Sequence, residues 1–202
     1  MNNVVRGAML ASFLNDFDAR PEKRVANDDR PQRLVTSMSY ELPIGEGKAL
    51  SLGNRWMNRA VGGWVINGIY TWQLGSPLGA WGNVIYLGGP LNMDPRKVNG
   101  AAFDTTRFVT NSSQQLGSNV RTFPTQFGNL RSDGANNVDF SMLKNTKLME
   151  KLNFQLRFEA FNAFNHAEFS APSLSVTSSA FGKITGQNNL SRTVQMGARL
   201  VF

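Results

Sequence analysis

The sequence predicts an all-β fold: a segment of an antiparallel transmembrane β-barrel with about five or six strands and long outer loops, too few strands to close the barrel. Three observations predict it. Apolar and polar residues alternate with a period of two in five separate stretches, the signature of a strand whose two faces meet different surroundings. The connections between those stretches alternate between short and long. No eighteen consecutive apolar residues occur, which excludes a membrane helix, yet a membrane strand needs only about 9–11 residues with every second one apolar.

Along the chain, the first fifteen residues carry one arginine and a short apolar stretch broken by Gly7, which does not make an export signal. Residues 1–32 read as an outer loop, with Val4 to Phe13 as the stump of a sixth strand, and residues 33–202 as strands and loops. The first clear strand places Leu34, Thr36, Met38, Tyr40 and Leu42 on one side, and Pro43 and Gly45 end it as turn residues. Within residues 62–78, Trp64, Ile66, Tyr70 and Trp72 oppose Asn67, Thr71 and Gln73. Val138, Phe140 and Met142 then oppose Asp139 and Ser141, with Lys144 interrupting the apolar side near a turn, where a long side chain can snorkel. The cleanest alternation follows: Leu152, Phe154, Leu156, Phe158 and Ala160 against Asn153, Gln155, Arg157 and Glu159.

The last two strands of that set form a hairpin with a predicted turn at Leu148, Met149 and Glu150. Two registers keep like faces together. The first sets Phe140 opposite Phe158, Met142 opposite Leu156 and Asp139 opposite Glu159; the second brings Arg157 towards Leu143. The final strand, residues 191–202, puts Val194, Met196, Ala198, Leu200 and Phe202 on one side and runs to the chain end. Connections at about 80–136 and 166–190 are long and rich in Gly, Asn, Ser and Thr, whereas 45–60 is intermediate. Counting back from a periplasmic C-terminus places the tight turn and 45–60 inside and the long loops outside, the asymmetry of outer-membrane barrels.

Apolar residues at every second position back from a terminal Phe resemble the signal by which the barrel assembly machinery accepts its substrates; an edge strand of a soluble sandwich would show the same alternation. The aromatics Tyr40, Trp64, Tyr70, Trp72, Phe140, Phe154 and Phe158 fit a lipid-facing band with interfacial girdles, and would equally fill a soluble core. Asp139, Arg157 and Glu159 fall on the opposite, lumen-facing side. Asp16, Asp18, Asp28 and Asp29 have no calcium-loop spacing and read first as turn caps. His166 reads as an exposed turn residue, and Gly62-Gly63 and Gly88-Gly89 as turn or strand-end glycines.

Function classes narrow accordingly. With no cysteine and one histidine there is no disulfide framework or thiolate metal site, no cofactor signature, and no assembled nucleophile, base and orienting group, so an enzyme is not expected. The excess of 21 Lys and Arg over 14 Asp and Glu is spread along the chain without a basic run, which argues against nucleic acid. Arg20, Lys23, Arg24, Arg30 and Arg33 can face anionic lipopolysaccharide, although interspersed carboxylates favour an ordinary solvated loop.

The order of RPQRLVTSMSYELPIGEGK, GGWVINGIYTWQLGSPL, FGNLRSDGANNVDFSMLKN, LNFQLRFEAFNAFNHAEFSAP, FGKI and RTVQMGARLVF resembles the C-terminal part of the β-barrel of TonB-dependent outer-membrane receptors, most closely the Oar-like group. FEAFNAFNHAEF and GGWVINGIYTWQLGSP are the most specific pieces; residues 80–126 diverge. The resemblance implies a fragment of a larger, plugged barrel that takes up a nutrient, with TonB acting only through an N-terminal plug not found in these residues. The alternatives are another outer-membrane barrel, such as a porin or adhesin, or a soluble all-β binding domain.

Overall fold

The computed structural model describes residues 13–202 apart from 80, 83, 116, 118–120 and 122, so most of the expected sixth strand, Val4 to Phe13, lies outside the described residues. Five strands form one antiparallel sheet in chain order: β1 (Arg33–Glu41), β2 (Trp64–Gln73), β3 (Ala135–Met149), β4 (Leu152–Phe161) and β5 (Thr193–Val201). Among the described residues each pairs only with its sequence neighbours, and the sheet is open at β1 and β5. Phe202 lies one residue beyond the last strand and is 98% exposed.

The β3–β4 hairpin takes the second of the two registers. Phe140 faces Ala160, Met142 faces Phe158, Ser141 faces Glu159 and Leu143 faces Arg157, so Asp139 does not face Glu159. The physical reason lies in the turn. Met149 pairs with Leu152 around a two-residue turn, Glu150-Lys151, shorter than the three residues expected, and the ladder shifts between Lys147 and Met149. Two-residue connections match strand twist best. A bulge at Leu148 absorbs the odd residue and returns both strands to a common face.

Between β1 and β2 the intermediate connection contains a helix that periodicity does not announce, α1 (Arg55–Val61). Seven residues are too few for a helical repeat to stand out. Asn54 caps it by accepting from the Trp56 N–H, and its last turn is closed by Gly62 N–H donating to the Asn58 carbonyl. Gly63 then turns the chain with a φ of 75°, and a Cβ there would lie 2.2 Å from the Asn145 carbonyl oxygen, so only glycine fits.

Residues 13–32, 74–134 and 168–188 belong to a second compact unit, and the sheet with its short connections makes the first. This second unit corrects the picture of polar, structureless loops. It has a core of its own, in which Trp81, 1% exposed, stacks on Phe108 at 4.9 Å between ring centroids and meets Phe103, Phe127 and Phe181 edge-on. Leu78, Leu91, Phe123, Leu130, Val176 and Ile184 belong to the same cluster. Regular structure is sparse there: isolated bridges such as Met93 with Phe103 and Ala101 with Lys183, and 3-10 turns at Thr105–Arg107 and Ser112–Gln114. Residues 13–32 join it through Glu22, whose carboxylate, with only 1% of the side chain exposed, accepts from Thr125 N–H and Oγ1 and pairs with the buried Arg121.

Candidate functional site

Paired residues of an antiparallel ladder point to the same side. Outside the bulge every pairing joins two even or two odd numbers, so one face of the sheet carries the even-numbered residues and the other the odd. Across the even face one row runs Tyr40, Ile66, Met142, Phe158 and Met196, and the next Met38, Gly68, Phe140, Ala160 and Val194. Trp64 lies level with Lys144, Leu156 and Ala198; Phe154 lies level with Thr146 and Leu200. Tyr70 and Trp72 occupy the opposite end of β2 from Trp64. The register therefore brings all seven aromatics singled out in the sequence, together with Val194, Met196, Ala198 and Leu200, onto one continuous face. Phe202 alone of that set stands outside the ladder.

The odd face is chemically different. Its central row is polar throughout: Ser39, Asn67, Ser141, Glu159 and Gln195. Arg157 pairs with Glu159 at 2.5 Å, Gln195 donates to Glu159, and Asn67 donates to Ser141. Asp139 accepts from Asn137 Nδ2 at 2.9 Å and from the Asn162 N–H at 3.0 Å. Asp139, Arg157 and Glu159 thus share one face, but only the last two form an ion pair.

Lys144 is the cation on the apolar face, and the structure shows where its charge goes. Its Nζ lies 5.1 Å from the Trp64 ring centroid and donates to the carbonyls of Arg59, Ala60 and Gly62 at the end of α1. A lysine at a helix C-terminus satisfies carbonyls that the helix leaves open and meets the negative end of its dipole. The snorkelling side chain therefore reaches backbone rather than bulk solvent.

The FNAFNH segment ends β4 with two asparagines in the left-handed region, Asn162 at φ 49° and Asn165 at φ 52°. Asn162 is buried; its side chain donates to the His166 and Leu190 carbonyls and accepts from the His166 N–H. Asn165 accepts from the Arg192 N–H. The motif ties the ends of β3, β4 and β5 together, and His166 is half-buried in it rather than exposed. The sequence marks the motif as specific without revealing this role; the asparagine spacing is the available signal.

Among the described residues no group of three or more His, Cys, Asp or Glu is placed to hold a metal ion. Asp18 binds Arg20 through both carboxylate oxygens, and Asp29 binds Arg131 at 2.5 Å. The Arg20 hydrogen bonds pull the Asp18 pKa down to about 2. Asp104 is held below the usual carboxylate value by hydrogen bonds from the Thr106 side chain and N–H, and then by Arg107. Arg24 donates to Thr125.

Among the described residues no helix is long and apolar enough to cross a membrane, which says nothing of strands. No curated protein and no solved structure matches the chain. A family model described as an outer membrane beta barrel domain matches residues 2–195, nearly the whole length. An open antiparallel sheet with one apolar face is what a segment of such a wall requires, and the chain belongs to the outer membrane beta barrel domain family, in the outer membrane.

Proposed function

We propose that this chain is wall and outer-loop structure of a TonB-dependent receptor of the Oar-like kind, which takes up a scarce nutrient across the outer membrane. The observation that carries the reading is the open five-stranded sheet accompanied by a loop unit with its own aromatic core. Single-chain bacterial barrels begin at eight strands, and an unpaired strand edge in lipid costs several kcal/mol per backbone group, so five strands serve as part of a larger wall. A loop unit that holds its own shape presents fixed side chains to a ligand, which a plain diffusion pore has no need of. The motif order of FEAFNAFNHAEF and GGWVINGIYTWQLGSP supports the same family.

In this reading the even face meets lipid, the odd face lines the lumen, and β5 with Phe202 is read by the barrel assembly machinery. Basic residues of the loop unit such as Lys23 and Arg30 meet lipopolysaccharide. The transport step belongs to a plug and to TonB, neither supplied by the described residues. No group in the chain is assigned a catalytic role.

The test is uptake by cells carrying the whole gene. Collapsing the proton gradient stops accumulation by a TonB-dependent receptor and leaves diffusion through a porin unchanged. The genomic sequence ahead of residue 1 gives a second arm: an in-frame plug supports the receptor, whereas an independent start with its own signal peptide replaces it by another barrel class.

A further inference from the structure

Helix α1 is amphipathic in the inverted sense. Asn58, its polar centre, is 7% exposed and is engaged by the Leu52 N–H, the Leu52 carbonyl and Ser51 Oγ. The stripe formed by Trp56, Met57, Ala60 and Val61 faces away from the protein, with Trp56 77% and Met57 53% exposed. A helix in water buries its apolar stripe and shows its polar one. Reversal of that order, extended by exposed Leu50 and Leu52, calls for an apolar medium on the outer side.

The place of the helix says which medium. Lys144 lies on the even face of β3 and holds the last carbonyls of α1, so the helix end is fixed at that face, level with Trp64 and close to the β3–β4 turn. The polar side of the helix is turned the other way: Arg55, Asn58 and Arg59 line one cavity with Glu41, Glu46 and the odd-face Lys147. Arg59 also lies over Trp56, 5.9 Å from the ring centroid.

We propose that α1 is an interfacial anchor: its Trp56–Met57–Ala60–Val61 stripe sits at the glycerol and acyl boundary of the phospholipid leaflet at the turn end. Tryptophan at headgroup depth with an apolar stripe beside it is the arrangement by which a short helix lies in a membrane surface. This rests on the even face meeting lipid.

The absence of cysteine allows a clean test. The product of the whole gene is labelled with an environment-sensitive fluorophore at Met57→Cys, at Ala198→Cys on the even face, or at Lys151→Cys in the turn. It is then reconstituted in vesicles of phosphatidylethanolamine and phosphatidylglycerol. The label at 57 is expected to be quenched by shallow spin-labelled lipid and shielded from aqueous iodide, with 151 open to iodide. Iodide quenching at 57 equal to that at 151 overturns the anchor if 198 is lipid-quenched; loss of lipid quenching at 198 as well overturns the reading beneath it. Shielding at 57 without lipid quenching, together with a cross-link between chains, overturns it in favour of a second copy.

Discussion

Asn162 concentrates more constraint than any other residue at the sheet's loop end. It holds a left-handed backbone, at φ 49°, and a buried amide joined to His166 and Leu190. Asn162→Ala is expected to lower stability by about 1–3 kcal/mol, measured as a shifted guanidinium midpoint in detergent. Asn162→Gly keeps the backbone and loses the amide, so a loss as large as that of alanine assigns the effect to the hydrogen bonds, and recovery assigns it to φ. Asp18 offers a second check. With its pKa lowered from 3.8 to about 2 by Arg20, the pair's contribution is complete above the unfolded value and is lost as pH falls through about 2. A carboxylate titration by carbon NMR should therefore show a midpoint near the lowered value, and one at the ordinary aspartate value means the contact is not formed. Neither role is legible in the sequence, since an asparagine or aspartate in a polar segment reads as a turn cap whether or not distant residues close around it.

The strands are legible because period-two alternation is a local property: it outlines β4 to within a residue at each end and gives the parity of β1, β2, β3 and β5. Register is not, because both hairpin alignments satisfy parity and the choice falls to turn chemistry and the Leu148 bulge. A disulfide test decides between them directly. Met142→Cys with Phe158→Cys should cross-link readily, whereas Met142→Cys with Leu156→Cys should not, read by gel mobility under oxidising conditions. The helix α1 stays hidden for the opposite reason, its seven residues giving no periodicity at all. Lys144 looks like a flaw in an apolar face, and the reason for it is a neighbouring helix end that alternation cannot reveal.

For the molecule as a whole, the apolar residues divide between two tasks. Those at even strand positions form a face, whereas Trp81, Phe103, Phe108, Phe123 and Phe181 form a core among segments distant in sequence. That core has no periodic trace, which is why residues 80–136 read as polar loop. Trp81→Ala should destabilise the loop unit by about 3–5 kcal/mol and open it to limited proteolysis, while strand content in far-ultraviolet circular dichroism stays unchanged. Simultaneous loss of the sheet would show that the unit does not keep its own stability. The common parity of all five strands also fixes how length changes in the gene are tolerated. Removing one residue inside β4 turns part of that strand inside out against both neighbours. Removing Leu148 only deletes the bulge, leaving Lys147 opposite Asn153 and Met149 opposite Leu152 as they are. A scan of single-residue deletions should therefore show survivors in the loops and at position 148, with the strand interiors blank, like a reading frame written in side chains.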